Sequence, residues 1–174
     1  MSAQPTQTLG PSSGTLRVRT GRTGAVARAG HDLLIEVTAW DATLTLAGEE
    51  TSLELRADST SLRVLEGTGG IMELGDDDRA SIVQTIDEDV LRRRDIEFRS
   101  SSARLDGDRY EISGELTLNG QTHPLTFELL APAGGPLRAS AMVKQTDWEI
   151  KPYTTLFGAL KVADEVTVSF ESSP

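Results

Sequence analysis

The sequence predicts a mainly β protein: an eight-stranded antiparallel barrel with one amphipathic helix. Three observations lead to this prediction: short segments of alternating apolar and polar residues, an Asn-Gly dipeptide between two of them, and a single segment with helical periodicity. Alternation with a period of two is typical of strands that bury one face. Short connections without intervening helices favour antiparallel pairing, and closure into a barrel removes the exposed sheet edges.

The alternating segments divide into eight predicted strands. They cover residues 15–20, 32–46, 52–58, 95–105, 110–118, 121–129, 137–150 and 165–171. Within the long segment 32–46 the apolar positions change parity between Val37 and Trp40. We interpret this change as a bulge or sharp bend at a barrel corner, in preference to a loop between two separate strands.

The stretch SGELTLNGQTHPLTFEL at residues 113–129 predicts a β-hairpin of fixed register. Its Asn-Gly pair at 119–120 is a strong signal for a two-residue type I′ turn, because both residues tolerate positive φ. Side chains alternate across a strand, so the turn decides which residues share the apolar face. Glu115 and Thr126 are expected to face solvent. The predicted inward residues include Ile112, Leu116, His123, Leu125 and Phe127.

One segment, GDDDRASIVQTIDEDVLRRR, breaks the alternation and predicts a helix over about residues 77–92. Three aspartates at 76–78 precede it and three arginines at 92–94 end it, which is the charge order that the helix dipole favours. We interpret the arginines as an exposed helix end and not as an anion site. The apolar residues at spacings of three and four are Ile82, Val83, Ile86, Val90 and Leu91.

Composition excludes several classes of function and location. A formal net charge of −10 disfavours nucleic acids and anionic membrane surfaces, which bind through Lys and Arg. The chain has no cysteine, which excludes disulfides, thiolate nucleophiles and cysteine-bound metals. No apolar stretch approaches the roughly 18 residues of a membrane span, and the N-terminus lacks the pattern of a signal peptide. We therefore expect a cytoplasmic protein without stable membrane insertion.

The length of 174 residues predicts a single domain. Residues 1–13 are rich in Ser, Thr, Gln, Pro and Gly and predict a disordered tail. The remaining residues, 14–172, are predicted to form one β-barrel domain.

The sequence carries no signature of an enzyme or a metal site. Its two histidines, His31 and His123, lie far apart and belong to no metal-ligand spacing. There is no G-x-S-x-G and no glycine-rich phosphate loop. His31 is interpreted as a turn residue with a hydrogen-bonded imidazole or as a ligand-facing group, and His123 as a histidine at the barrel mouth. We expect no catalytic activity, no metal and no cofactor.

The segment after Trp148 predicts an apolar cover for one end of the barrel. Alternation stops at Pro152, and Tyr153, Leu156, Phe157 and Leu160 follow at helical spacing. Such a segment is either a core plug or the lid of a lipid-like pocket. If it is a lid, Lys151 and Lys161 at its two ends are placed to meet an anionic head group.

Three stretches together resemble the YceI-like family of lipocalin-like polyisoprenoid-binding proteins. SGELTLNGQTHPLTFEL is similar to the family's G-x-L-T-[IL]-x-G-x-T signature, and DWEIKPYTTLFGALKVADEVTVSFE resembles its I-K-P-Y ending. GHDLLIEVTAWDATLTL resembles the family's first long strand with its histidine. The resemblance covers about residues 15–172. It implies an eight-stranded barrel with one helix, often a homodimer, whose interior holds a long isoprenoid or similar amphiphile without catalytic residues.

We therefore expect non-enzymatic binding or carriage of a hydrophobic or amphiphilic small molecule in the barrel interior. The expected ligand is an isoprenoid, a quinone-like lipid or a fatty-acid-like molecule. The alternative is a filled structural or protein-interaction barrel without a bound lipid. The candidate ligand-binding residues are Ile112, Leu116, His123, Leu125, Phe127, Trp148, Lys151, Tyr153, Phe157 and Lys161.

Overall fold

The computed structural model describes residues 6–24, 31–69, 74–155 and 160–173. Antiparallel strands make up most of this part of the chain. The strands are β1 Thr6–Leu9, β2 Gly14–Arg19, β3 Arg22–Thr23, β4 Asp32–Val37, β5 Trp40–Thr45, β6 Ser52–Ala57, β7 Leu62–Thr68, β8 Ile96–Asp106, β9 Arg109–Leu118, β10 Gln121–Leu130, β11 Arg138–Lys144, β12 Thr154–Thr155, β13 Leu160–Val162 and β14 Glu165–Ser172.

Eleven of these strands pair into one antiparallel sheet. Six of them form three bent strands, each made of two successive halves: β1 with β2, β4 with β5, and β6 with β7. β1 and β2 pair with β5 and β4 respectively, while β5 and β4 pair on their other side with β6 and β7. Counted as bent strands, the sheet has eight members. β14 pairs with β2, so the order of pairing returns to the first strand. The predicted eight-stranded antiparallel barrel is confirmed, and the additional strand segments arise from the bends.

The bend predicted within residues 32–46 is confirmed. β4 ends at Val37 and β5 begins at Trp40, and both of these side chains are buried although their positions differ in parity. The partner strand, made of β6 and β7, bends opposite this point. There the N–H of Thr38 donates to the carbonyl of Ser61 at 2.9 Å. Both partners bend together, so the ladder of backbone hydrogen bonds continues around the corner of the barrel.

The hairpin formed by β9 and β10 has the predicted register. Leu116 lies opposite His123, and both residues of the Asn-Gly turn at 119–120 have positive φ. Leu116 is buried while Glu115 and Thr126 are exposed. The turn chemistry alone was therefore sufficient to predict which face of this hairpin points into the barrel.

The predicted helix is present as α1, Asp76–Thr85, and continues through one π-helical turn, Ile86–Val90. The chain leaves this turn through Arg92 and Arg93, both with a φ of 56°. The guanidinium of Arg93 holds the turn by pairing with Asp87 at 3.2 Å. No helix in the described part of the chain is long and apolar enough to cross a bilayer.

The prediction of a disordered tail over residues 1–13 is wrong for Thr6–Leu9. These residues form β1, which makes four register pairs with β5. Leu9 is only 7% exposed and belongs to the hydrophobic core. Burial of this leucine and the backbone ladder order a segment whose polar composition alone would not.

The strand predicted over residues 137–150 is too long. β11 ends at Lys144 and is followed by a 3-10 turn, Gln145–Trp148. Glu149 then takes the left-handed conformation, with a φ of 57°. The alternating pattern continues past Lys144 because Trp148 and Ile150 are both buried, although they reach the core from a turn.

The apolar segment over residues 153–160, whose spacing suggested a loop or a helical turn, contains strand residues in its described part. β12 pairs with β13, and β13 pairs with β3 in a small three-stranded sheet. Pairing with β3, which the sequence did not predict, satisfies backbone groups that a helical turn would have bonded locally. Phe157 lies outside the described residues.

The longer connections lie at one end of the barrel, which we call the helix end. Here β2, β7, β9 and β11 finish and β4, β8, β10 and β14 begin. α1, the 3-10 turn Gln145–Trp148 and the three-stranded sheet lie in these connections. At the opposite end the strands are joined by turns and short loops, such as the one at residues 107–108. This asymmetry places most of the chain that lies outside the barrel wall at the helix end.

We expect Gly114→Ala to lower the free energy of unfolding by about 1–3 kcal/mol, as overpacking usually does. Gly114 lies on β9 beside the β8 bulge, where an added Cβ would collide with the carbonyl oxygen of Arg99 and come within 2.7 Å of the Phe98 ring. Urea unfolding measures the effect. Glu115→Ala, at the exposed neighbouring position, is the control, and equal midpoints for the two variants would contradict this close packing.

Candidate ligand-binding cavity

A cavity of about 460 Å³ occupies the interior of the barrel. Its wall is built from the inward residues of the strands, which alternate with exposed ones along each strand. An eight-stranded barrel of this kind has room for one small ligand when its interior side chains do not fill it. The apolar wall includes Leu16, Val18, Ile35, Val37, Leu44, Leu55, Phe98, Leu116, Leu125, Phe127, Val143, Val168 and Phe170.

The helical segment covers the cavity at the helix end. Ile82, Ile86 and Val90 line the cavity from one face of this segment, and the buried Leu91 follows them. No residue of α1 is fully buried. The helix contacts β7 of the barrel, and beyond the C-terminal end of the segment Arg94 donates to the carbonyl of Asn119 at 3.3 Å.

Uncharged polar side chains gather at the same end of the cavity. They come from four different parts of the chain, and two of them, Ser81 and Tyr153, are exposed while also lining the cavity. Because both belong to connections at the helix end, they indicate an opening there, whereas Ser140 and Ser169, which also line the cavity and are exposed, lie within the paired strands β11 and β14. This polar rim comprises Thr20, Ser81, Thr85, Gln145 and Tyr153.

Trp148 closes the barrel beside the hairpin turn. Its side chain is 2% exposed, and its indole N–H donates to the carbonyl of Leu116 at 2.8 Å. The ring of His123 packs edge-on against the indole with centroids 5.8 Å apart. The side-chain amide of Asn119 donates to the carbonyl of Trp148 at 3.4 Å. Trp148 and His123 therefore form a packed pair outside the cavity wall, and the pair contacts the wall through Leu116.

Gln145 belongs to the polar rim and is fixed by its neighbours. Its amide nitrogen donates to the carbonyl of Ala163 at 3.0 Å, and its side chain is buried. The next residue, Thr146, donates to the Asp164 carboxylate through its hydroxyl at 2.7 Å and its N–H at 2.9 Å. The hydroxyl bond is the main reason that the pKa of Asp164 lies below its usual range. This carboxylate therefore anchors the turn that carries Gln145.

The structure brings only some of the sequence-predicted site residues to the cavity. Ile112 is fully buried in the core and lies outside the cavity wall, as do His123 and Trp148. Lys151 is exposed and also lies outside that wall. Only the backbone of Lys161 is described, in β13. Their roles in ligand binding remain predictions, as do those of the four that line the cavity: Leu116, Leu125, Phe127 and Tyr153.

Sequence reasoning missed most of the polar rim. The apolar stripe of the helix was recognised, but Ser81 and Thr85 beside it carry no signal of their own in one sequence. Thr85 lies three residues after Ile82 and four after Ser81, and these spacings could have indicated that the three share the inner face of the helix. Thr20 lies after β2 and becomes part of the wall only through the fold.

The described residues contain no group of three or more His, Asp or Glu side chains placed to hold a metal ion. His123 contacts Trp148. His31 directly precedes Asp32, the first residue of β4. The expectation of a protein without catalytic or metal chemistry stays a prediction.

We expect Trp148→Phe to cost about 1–3 kcal/mol of unfolding free energy more than Trp40→Phe. Both indoles are at least nine-tenths buried, but the N–H of Trp148 bonds a carbonyl, whereas that of Trp40 has no hydrogen-bond partner within the described structure. The two variants remove the same atoms, so their difference in urea unfolding isolates the hydrogen bond. Equal losses would show that this bond contributes nothing net.

Asp164→Asn should lower stability at neutral pH and matter less in acid. The pKa of Asp164 is lowered by folding, so its contribution is complete above the usual carboxyl pKa and is lost as pH falls through the lowered value. The effect is modest because the carboxylate is close to solvent. Thermal unfolding between pH 7 and pH 2, with Asp147→Asn as the control, measures it. A stability difference independent of pH would contradict the anchoring role.

The comparison of sequences identifies a family for most of the chain. A family model of the YceI-like domain matches residues 36–173. Protein YceI of Escherichia coli O157:H7 is 40% identical over 63 residues, covering 31% of this chain and 33% of that protein. Protein YceI of Shigella flexneri matches to the same extent. These matched segments span about a third of the length of the curated relatives.

Solved structures show the same fold at low sequence identity. BcnA of Burkholderia cenocepacia has a TM-score of 0.64 at 17% identity, covering 91% of this chain and 94% of that one. A polyisoprenoid binding domain from Saccharophagus degradans has a TM-score of 0.55 at 10% identity, covering 99% and 100%. At these identities the likeness shows the fold alone. Because the family model spans most of the sequence, the chain belongs to the YceI-like domain family.

Proposed function

We propose that this protein binds a lipid-like small molecule whose apolar part occupies the barrel cavity, and that it does so without catalysing a reaction. The observation that carries the proposal is the cavity of about 460 Å³ with its wall of apolar side chains. Such a wall offers affinity through burial and offers little that would orient a small polar substrate for chemistry.

The magnitude of burial supports an apolar chain as the occupant. Each methylene transferred from water contributes about 0.8 kcal/mol. A chain of roughly ten carbons thus contributes about 8 kcal/mol, which exceeds the lower end of the roughly 4–15 kcal/mol lost on association. A small polar molecule would gain far less from the same wall.

The family supports the same class of ligand. One structural neighbour is described as a polyisoprenoid binding domain, and the chain shares the fold and belongs to the YceI-like family. Within the lipid-like class we propose an isoprenoid or quinone-like molecule, whose elongated apolar chain suits the interior of an eight-stranded barrel.

The alternative of a filled structural barrel is disfavoured by the size of the cavity. Well-packed protein interiors contain few voids larger than a water molecule. The volume of about 460 Å³ far exceeds that of such a void. A protein-interaction role for the outer surface would leave this internal space unexplained.

We expect Ala141→Phe to weaken binding of retinol, an apolar isoprenoid alcohol, by at least about tenfold, because the new ring occupies the cavity. Ala141 lines the cavity from β11, whereas its neighbour Met142 is 58% exposed. Met142→Phe is therefore the matched control and should bind as the unmodified protein does. Retinol fluorescence titration gives both affinities, with urea unfolding to confirm that each variant folds.

The carrier proposal would be rejected if retinol, long-chain alcohols and quinones all failed to saturate the unmodified protein. Native mass spectrometry of the freshly purified protein gives an independent measurement, because a bound lipid adds a defined mass. Equal retinol affinity of Ala141→Phe and Met142→Phe would show that binding takes place outside the cavity.

A further inference from the structure

We propose that the ligand carries an uncharged polar head group, held at the helix end of the cavity by hydroxyl and amide side chains. The proposal rests on the proposed function and narrows its ligand class. It implies that the protein discriminates between lipids of the same chain by the charge of the head group.

The polar rim provides hydrogen-bonding groups where a head group would lie. Ser81 and Thr85 are one helical turn apart and line the cavity next to the apolar Ile82 and Ile86. The helix therefore presents a boundary at which an apolar wall meets hydroxyl groups. An amphiphile whose chain lies along the wall would bring its first polar atoms to this boundary.

The rim extends around the cavity on the other elements of the helix end. Gln145 is 7% exposed, and its amide is oriented by the hydrogen bond to the carbonyl of Ala163. Tyr153, which lines the cavity and is 49% exposed, adds a phenol hydroxyl that can both donate and accept. Hydroxyl and amide groups both donate and accept, so they match alcohol, carbonyl or ether oxygens without supplying a net charge.

Charges on the covering segment oppose an anionic head group. Residues 76–94 carry six carboxylates and four arginines, Arg79 and the three at 92–94. Arg93 offsets part of this charge through its pairs with Asp87 at 3.2 Å and Glu88 at 3.5 Å. The segment that covers the opening is therefore acidic. A carboxylate or phosphate entering beneath it would meet like charge and would lose hydration against an apolar wall.

The sequence had suggested the opposite charge preference, with Lys151 and Lys161 meeting an anionic head group. The structure places Lys151 at an exposed position outside the cavity wall. The side chain of Lys161 is not described. Among the described residues, the polar side chains that line the helix end are Thr20, Ser81, Thr85, Gln145 and Tyr153. The geometry of the rim thus favours a neutral head over the anionic one.

Retinol and retinoic acid test the proposal because they share a chain and differ in head group. Quenching of tryptophan fluorescence follows both, since Trp40 lines the cavity. At neutral pH we expect retinol to bind at least about tenfold more tightly than retinoate, in keeping with the cost of taking an unpaired charge out of water. Thr85→Lys, which adds a cation to the rim, should reduce or reverse this ratio.

Gln84→Lys is the matched control for Thr85→Lys. Gln84 is the preceding residue of the same helix, is exposed and bonds Glu88 at 3.3 Å on the outer surface. The Gln84→Lys variant adds the same charge outside the cavity. The ratio of its affinities for retinol and retinoate should therefore stay close to that of the unmodified protein. Ser81→Lys provides a second rim variant if Thr85→Lys fails to fold.

The outcomes separate this inference from the proposed function. Retinoate binding as tightly as retinol to the unmodified protein would overturn the neutral head group and leave lipid binding intact. Failure of both ligands to bind would overturn lipid binding itself, and the inference with it. If the rim variants and Gln84→Lys shifted the ratio equally, the assignment of the head group to the rim would be wrong.

Discussion

The closed ladder of backbone hydrogen bonds is the constraint on which the rest of the structure depends. Eight strands can return to the first one only because three of them bend and their partners bend with them. At the corner the change of parity between Val37 and Trp40 keeps apolar side chains inside on both halves of the strand. A straight strand would have to expose one half of its apolar face or break its pairing.

Ring closure also decides where function can be located. The wall consists of strands paired by backbone hydrogen bonds, and the exposed lining residues Ser81 and Tyr153 indicate an entrance at the helix end of the barrel. One end has turns and short loops, and the other has longer connections that carry the helix, the 3-10 turn and the small sheet. The helix that lies over the cavity buries none of its residues fully. Segments with few buried contacts open at low free-energy cost.

Local chemistry made parts of this fold predictable, and the remaining parts depend on distant contacts. The turn at Asn119 and Gly120 fixed the hairpin register, because few other residues adopt the required φ. The segment of β1 is ordered because it pairs with β5 and buries Leu9. No local sequence pattern reveals this contact. Likewise, Thr85 and Tyr153 are ordinary polar residues in the sequence and become neighbours of one cavity only through the closure of the barrel.

Small side chains on the inner faces leave the barrel hollow. The cavity wall includes four alanines, at positions 42, 57, 139 and 141, where leucine or phenylalanine would fill the space. Side chains that line such a space lack contacts on their inner side, and contacts left unmade in a protein interior lower its stability. An apolar occupant restores much of the lost contact, so retention of ligand and stability of the barrel are coupled through the same surface.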